Sequence, residues 1–330
     1  MAHHDAVSSR MGPMYDVIGD IHGHADALRR LLVKLGYEQR DGGYWHPERK
    51  AVFVGDFVDR GPEIRGVLEI ARVMVERGTA LAVMGNHEFN AVAFHLQRPG
   101  NSGRFLRERT YKNIRQYRET VAQLSDEELV GYTRWFQTLP MWLDLGGMRV
   151  VHACWDPASM QLVTQHREMF GGFDDRFFHL ASEPREPLFR AVEVLLKGRE
   201  TKLPDGVTFR DKDGNPRSNV RTKWYLDPSV TGATYRDYMF SFRDNELANV
   251  PLEPLSSATI QDARPYGADE PPVLFGHYWM PGDREPGPLT SNVACLDYSV
   301  AKNGRLCAYR WSGEARLRSE GFVSVPCRAE

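Results

Sequence analysis

The sequence has no apolar run near the roughly 18 residues that a membrane-spanning helix requires, which argues against an integral membrane protein. Its four cysteines, Cys154, Cys295, Cys307 and Cys327, include no Cys-x-x-Cys pair, so neither a thiolate zinc clamp nor a thioredoxin-like motif is supported. Three of the four lie in apolar, strand-like sequence and read as small hydrophobes of a reducing compartment. Met1 to Arg10 contains no apolar stretch of the signal-peptide type, and a cytoplasmic protein is expected. A net charge of −2 over 330 residues gives no global field that would select a membrane surface or a nucleic acid. Internal repeats and low-complexity tracts are also missing, which excludes a solenoid.

What is present is organised around Gly55-Asp56-Phe57-Val58-Asp59-Arg60-Gly61. The apolar run Ala51-Val52-Phe53-Val54 before it reads as a buried strand. Two carboxylates and a guanidinium within five residues are costly to bury unless something pairs them. The pattern repeats on either side. Tyr15-Asp16-Val17-Ile18 runs into Gly19-Asp20-Ile21-His22-Gly23-His24, and Thr79 to Met84 runs into Gly85-Asn86-His87-Glu88. Three strands thus end in glycine followed by metal-competent side chains, the position where open α/β sheets bind ligands. Asp20 and His22, two apart in an extended segment, point the same way.

Between these loops, Leu28, Leu31, Leu32 and Leu35 mark one helix, and Ile64, Val67, Leu68, Ala71 and Val75 another that opens near Pro62. Alternating strand and helix predicts parallel βαβ units. From Arg104 a further helix is expected, with Leu106, Ile114, Tyr117, Val121 and Leu124 on one side. Beside them Arg104, Arg107, Arg115 and Arg118 form either a solvated face or a cationic rail. Ser125 to Glu128 is a capping box. Met141–Leu145 and Met148–Val151 around Gly146-Gly147 predict a hairpin that delivers His152. Pro272 to Phe275 predicts a strand ending at Gly276-His277, and residues 293–299 and 305–311 flank Asn303-Gly304 as a second hairpin.

The organisation expected is a disordered tail over 1–13 and one catalytic domain over 14–330, with 155–272 as an insertion or lid. That insertion is richer in Pro, Gly and charge, with one expected helix, Pro187 to Lys197. Asp211 to Asn215 resembles a calcium loop but has Thr222 where the closing glutamate belongs, and reads as a turn.

Six ligand candidates emerge: Asp20, His22, Asp56, Asn86, His152 and His277. Three imidazoles, two carboxylates and an amide exceed one structural zinc and fit two divalent ions with open positions. Mixed nitrogen and oxygen donors without thiolate suit manganese, with iron or zinc as alternatives. Such a centre supports in-line attack of a metal-bridging hydroxide on phosphorus.

Gly-Asp-x-His-Gly, Gly-Asp-x-x-Asp-Arg-Gly and Gly-Asn-His-Glu, followed by two later histidines, resemble the calcineurin-like metallophosphoesterases. The Asp-Arg-Gly form resembles their phosphoprotein phosphatase branch, which includes bacterial Ser/Thr phosphatases and diadenosine tetraphosphatases. The resemblance implies an α/β fold of two mixed β-sheets packed as a sandwich, flanked by helices. It implies that Asp20, His22 and Asp56 hold one metal, and that Asp56 bridges to a second held by Asn86, His152 and His277. His87 would be the general acid, oriented by Asp59, and Arg60 would grip the substrate phosphate. A second arginine from a later segment is expected, with Arg221 the candidate. His24, at a helix start, is not expected to ligate. Many members carry arginine directly before Gly-Asn-His-Glu, where this chain has Met84.

The function expected is hydrolysis of phosphate monoesters, foremost phosphoserine or phosphothreonine in proteins. Hydrolysis of dinucleoside polyphosphates is the alternative, and a non-catalytic phosphate-binding protein the remote one. Partners are then a phosphorylated protein or a nucleotide, with neither membrane nor specific nucleic-acid binding.

Overall fold

Alternation of apolar residues with Gly-terminated loops produces the first layer. In the computed structural model, which describes residues 13–100, 103–210, 216–242, 247–248 and 250–329, strands β1 (Met14–Ile18), β2 (Arg49–Phe53) and β3 (Ala80–Ala82) pair in parallel. Val17 lies opposite Val52, and Val52 opposite Leu81. The crossovers are α1 (Ala25–Lys34), which buries Leu28, Leu31 and Leu32, and α2 (Ile64–Glu76), which buries Val67, Leu68 and Ala71. The expected tail through Gly12 and the calcium-loop look-alike at 211–215 fall outside the described residues.

Helix α3 (Asn86–His95) begins directly at the third loop. The next helix, α4 (Tyr111–Gln123), starts seven residues later than its periodicity predicts. Thr110 is the reason: its side chain accepts from Asn113 N and caps the helix there. Leu106, Tyr117 and Leu124 are buried as expected, but Ile114 and Val121 stay 48% and 46% exposed. Ser125 caps α5 (Asp126–Phe136), and Glu128 completes the predicted capping box.

The second sheet contains β4 (Trp142–Asp144) and β5 (Arg149–Val151), the predicted hairpin. Three helices follow, α6 (Pro157–Phe170), α7 (Asp175–Ala181) and α8 (Pro187–Lys197), where the sequence reading expects one. Helices α6 and α7 carry weak periodicity but strong caps, Asp156 and Asp174. The sheet is completed by β6 (Val273–Phe275) and β7 (Val293–Cys295), both parallel to β5 in direction. Order in this sheet is β7-β6-β5-β4.

The chain end returns to the first sheet. Strands β8 (Asp297–Tyr298) and β10 (Phe322–Pro326) each pair antiparallel with β9 (Arg305–Trp311), and β9 runs antiparallel beside β1. The predicted strand over 293–299 is thus two short strands in different sheets, broken at the buried Leu296. Its backbone N–H turns to Phe275 O, which is how one segment serves both layers. Apolar residues of both sheets share one continuous core, and helices 157–197 add Val163, Phe177, Phe178 and Leu195 to it. A separate apolar cluster, including Leu203, Phe209, Val220, Tyr238 and Leu255, lies within 203–255. Among the described residues no helix is long and apolar enough to cross a membrane.

Under the first sheet lies a charged pair in the core. Arg49 Nε donates to both Asp16 carboxylate oxygens at 2.9 and 3.0 Å, and its Nη2 reaches the Tyr15 and Trp311 carbonyls. Removing one partner of such a buried pair typically costs about 3–5 kcal/mol. Arg49→Leu is expected at the lower end, because Arg310 also donates to Asp16. Urea unfolding checks this: the midpoint should fall while the slope stays unchanged.

Candidate metal centre and substrate cleft

Every ligand candidate from the sequence stands just beyond the carboxyl end of one of five strands. Asp20 and His22 follow β1, Asp56 follows β2, Asn86 follows β3, His152 follows β5 and His277 follows β6. Because these strands are parallel within their sheets, the loops meet at one edge of the sandwich. All six residues are buried. The approach is close enough to require glycine: a Cβ on Gly276 would lie 1.8 Å from Asp20 Oδ1, and one on Gly55, at φ 95°, 2.4 Å from Gly85 N.

The loops are also strained. Nine described non-glycine residues have positive φ, and six of them are here: His22, Asp56, Asp59, Arg60, His277 and Trp279. Backbone strain of this kind persists only where surroundings impose it, and it concentrates at functional sites. Glu88 supplies much of the imposition. Its buried carboxylate accepts from Gly85 N, Asp56 N and Phe57 N at 2.7–3.0 Å, tying the second loop to the third. Burial pushes the Glu88 carboxyl up to about 7.

The donor set fits divalent cations. His22 Nδ1–H donates to Val58 O at 3.0 Å, so Nε2 presents a lone pair, 3.5 Å from Asp56 Oδ2. His152 Nδ1–H donates to Val54 O at 2.7 Å, and its Nε2 faces Asn86 Oδ1 at 3.1 Å and Asp56 Oδ1 at 3.5 Å. Acceptor facing acceptor in a dry site is unfavourable, and a cation between them relieves it. Asp20 Oδ1, His22 Nε2 and His277 Nε2 are buried without a hydrogen-bond partner among the described residues. Burial lowers the basicity of His22, His152 and His277, keeping the imidazoles neutral, which is the ligating form. Burial also pushes the Asp20 and Asp56 carboxyls well up, and a bound cation opposes that shift. Two groups converge within ligand reach, His22–Asp56–His87 and Asp56–His152–His277, with Asp56 common to both.

His87 differs from the other histidines. Its Nδ1 lies 2.5 Å from Asp59 Oδ2, and its Nε2 is 3.9 Å from Asp56 Oδ2. Asp59 is held in turn by Thr120, whose hydroxyl donates to Oδ1 at 2.6 Å. Burial pushes the Asp59 carboxyl up to about 7, against the pull of Thr120 and Arg60. Arg107 sits half-buried, donates to Asn113 and Gln116, and also lowers the Asp59 carboxyl. The other members of the arginine stripe stay at the surface, Arg104 paired with Glu108 and Arg118 with Glu119. The stripe is therefore not one continuous rail.

A cleft of about 470 Å³ opens over this floor. Arg60 and Trp279 line it, and so do Arg217, Arg221, Phe240 and Phe242 from the segment 216–242. Arg221 lies 3.9 Å from Glu200 and lowers the basicity of His277 through its charge. Met84 is fully buried, its N–H bonded to Pro140 O. His24 precedes α1 and contacts Cys327 Sγ rather than the floor.

Sequence reading passes over Thr120, Trp279 and Asp297. Asp297 is buried, and its charge raises the carboxyls of Asp20 and Asp56. None of the three belongs to a motif. Glu88 does carry a sequence signal, an acid three residues after the helix-capping Gly85.

A model of the calcineurin-like phosphoesterase family matches residues 15–196. Over 74 residues the chain is 49% identical to an asymmetrical bis(5'-nucleosyl)-tetraphosphatase PrpE of Halalkalibacterium halodurans, covering 22% of this chain and 30% of that protein. Against the protein of the same name from Geobacillus sp. it is 34% identical over 143 residues, 42% of this chain and 56% of the relative. The matched region thus spans less than two thirds of either relative's length. In fold, the chain is similar to a protein serine/threonine phosphatase from Saccharomyces cerevisiae, with a TM-score of 0.51 at 15% identity, covering 98% of this chain and 82% of that one.

Proposed function

Because the chain belongs to the calcineurin-like phosphoesterase family, a family of metal-dependent hydrolases, we propose that it cleaves a dinucleoside polyphosphate of the diadenosine tetraphosphate type. The observation that carries this choice is a cleft lined from two parts of the chain. Arg60 comes from the second loop, Arg217 and Arg221 from residues 216–242, and Phe240, Phe242 and Trp279 share the lining. A single phosphoryl group is served by Arg60 and one further guanidinium, whereas a chain of phosphates can engage more. A flat ring such as Phe242 on the cleft lining offers a stacking surface for a base. The names of the relatives point the same way. Hydrolysis of phosphoserine or phosphothreonine, the reading foremost from sequence, uses the same floor with Arg60 and Arg221 but gives no role to Arg217 or the Phe242 ring.

In this reading Asp20, His22 and Asp56 hold one divalent ion, and Asn86, His152 and His277 a second, with Asp56 shared. Manganese is the proposed metal, iron or zinc the alternatives. Bound, the ions supply Lewis-acid activation of the phosphoryl group and of the attacking water. Arg60 binds phosphoryl oxygens through its paired N–H groups, and Arg221 adds a second guanidinium from residues 216–242. His87 passes a proton from Nε2 to the leaving oxygen, and Asp59 stabilises the imidazolium through Nδ1. The catalytic domain runs over 14–330 with 155–272 as an insertion or lid, from which Arg217, Arg221, Phe240 and Phe242 line the cleft. Four buried, unpaired cysteines suit a reducing cytoplasm.

Side-by-side turnover of diadenosine tetraphosphate and a phosphothreonine peptide, with manganese, tests the substrate. The dinucleotide is expected to show a kcat/KM about tenfold higher or more, as one extra charge-assisted contact provides. The reverse order would restore the phosphoprotein reading.

A further inference from the structure

Trp279 lies two residues beyond His277, with its backbone at φ 54°. A bulky residue adopts that left-handed conformation only when it is held there. The holder is Asp297, whose buried carboxylate accepts from Trp279 N at 2.8 Å and from Ser299 N at 3.0 Å. The indole so placed packs nearly parallel to the His22 ring, centroids 5.5 Å apart and planes 22° from parallel. The Arg60 guanidinium lies over the same indole at 4.5 Å, and Lys302 Nζ is 5.0 Å from its centre. Trp279 therefore joins the metal-ligand cluster to the one arginine that the second loop presents to the cleft.

We propose that Trp279 is a positioning residue for Arg60. The proposal rests on the reading that Arg60 binds the phosphoryl group. Arg60 is exposed and sits on a strained turn, so its long side chain has many rotamers to lose when a phosphate binds. A flat ring beneath the guanidinium removes part of that freedom beforehand, because the planar cation stacks on the π face. The paired N–H edges then point sideways, available to phosphate oxygens. Asp297, by fixing the Trp279 backbone, fixes the height of the platform.

A double-mutant cycle tests this, with nitrophenyl phosphate as substrate and inorganic phosphate as competitive inhibitor. Trp279→Leu is expected to raise KM and the phosphate inhibition constant about three- to tenfold, a loss in the range of one cation–π contact. kcat should change less, and two metal equivalents should remain. Trp279→Phe should recover most of the loss, and it also serves if the leucine variant folds poorly. On an Arg60→Ala background, Trp279→Leu should add almost nothing. The same factor on both backgrounds would overturn the proposal, as would metal lost from the Trp279 variants, since the ring would then be supporting His22. If Arg60→Ala alone left both constants unchanged, the assignment of Arg60 would fail, and the platform with it.

Discussion

Asp56→Asn is expected to release bound metal and to lower turnover by about 10³-fold or more, the largest loss of any single ligand change. The side chain is common to both converging groups, within 3.5 Å of His22 Nε2 on one side and His152 Nε2 on the other. Asparagine keeps the oxygen that accepts from His87 N, so the start of α3 remains supported. What it loses is the negative charge that offsets two cations. Lewis-acid stabilisation is worth several kcal/mol, and each 1.36 kcal/mol is tenfold in rate. Folding is a separable readout. Burial disfavours the ionised Asp56 carboxylate, so the metal-free variant should melt no lower than metal-free wild type. The rise in melting temperature on adding manganese, a consequence of binding to the native state alone, should shrink in the variant. Elemental analysis decides the matter: two retained metal equivalents would overturn the shared-ligand assignment.

His87→Asn is expected to lose about 10²–10⁴-fold on a phosphoserine peptide, the usual worth of a general acid, while keeping both metals. On nitrophenyl phosphate the loss should be much smaller. A serine alkoxide is strongly basic and must be protonated as it leaves, whereas a nitrophenolate leaves almost unaided. Diadenosine tetraphosphate, whose leaving group is a weakly basic phosphate, should follow the nitrophenyl ester. The geometry makes this a sharp test, because His87 has two possible employments. Its Nδ1 is committed to Asp59, yet its Nε2 also lies 3.9 Å from Asp56 Oδ2, within the reach of a ligand. Equal losses on all substrates, together with lost metal, would make His87 a ligand rather than the acid.

The chemistry-bearing loops were legible because each is local. A short apolar strand, a glycine and an acid, amide or imidazole within four residues record both the strand end and the ligand candidate that follows it. That holds for Asp20, His22, Asp56, Asn86 and His277, while His152 stands directly after its strand. The βαβ order was legible for the same reason, since one periodicity defines each element. Helices α6 and α7 were missed because their burial comes from neighbours rather than from a clean stripe of their own. The split of 293–299 between two sheets was missed because nothing within the segment records which partner each half will find.

Sequence alone therefore determined the family-like motifs, the ligand types and the parallel βαβ core, all encoded in short windows. The tertiary structure decided the rest. It brought Thr120 against Asp59 across 61 positions and Glu88 against the Asp56 loop across 32, and it set Asp297 beneath Trp279 and residues 216–242 over the metal-ligand floor. These contacts join residues distant in the chain, and their geometry exists only once two sheets and a late segment pack on one core. No local propensity carries that information.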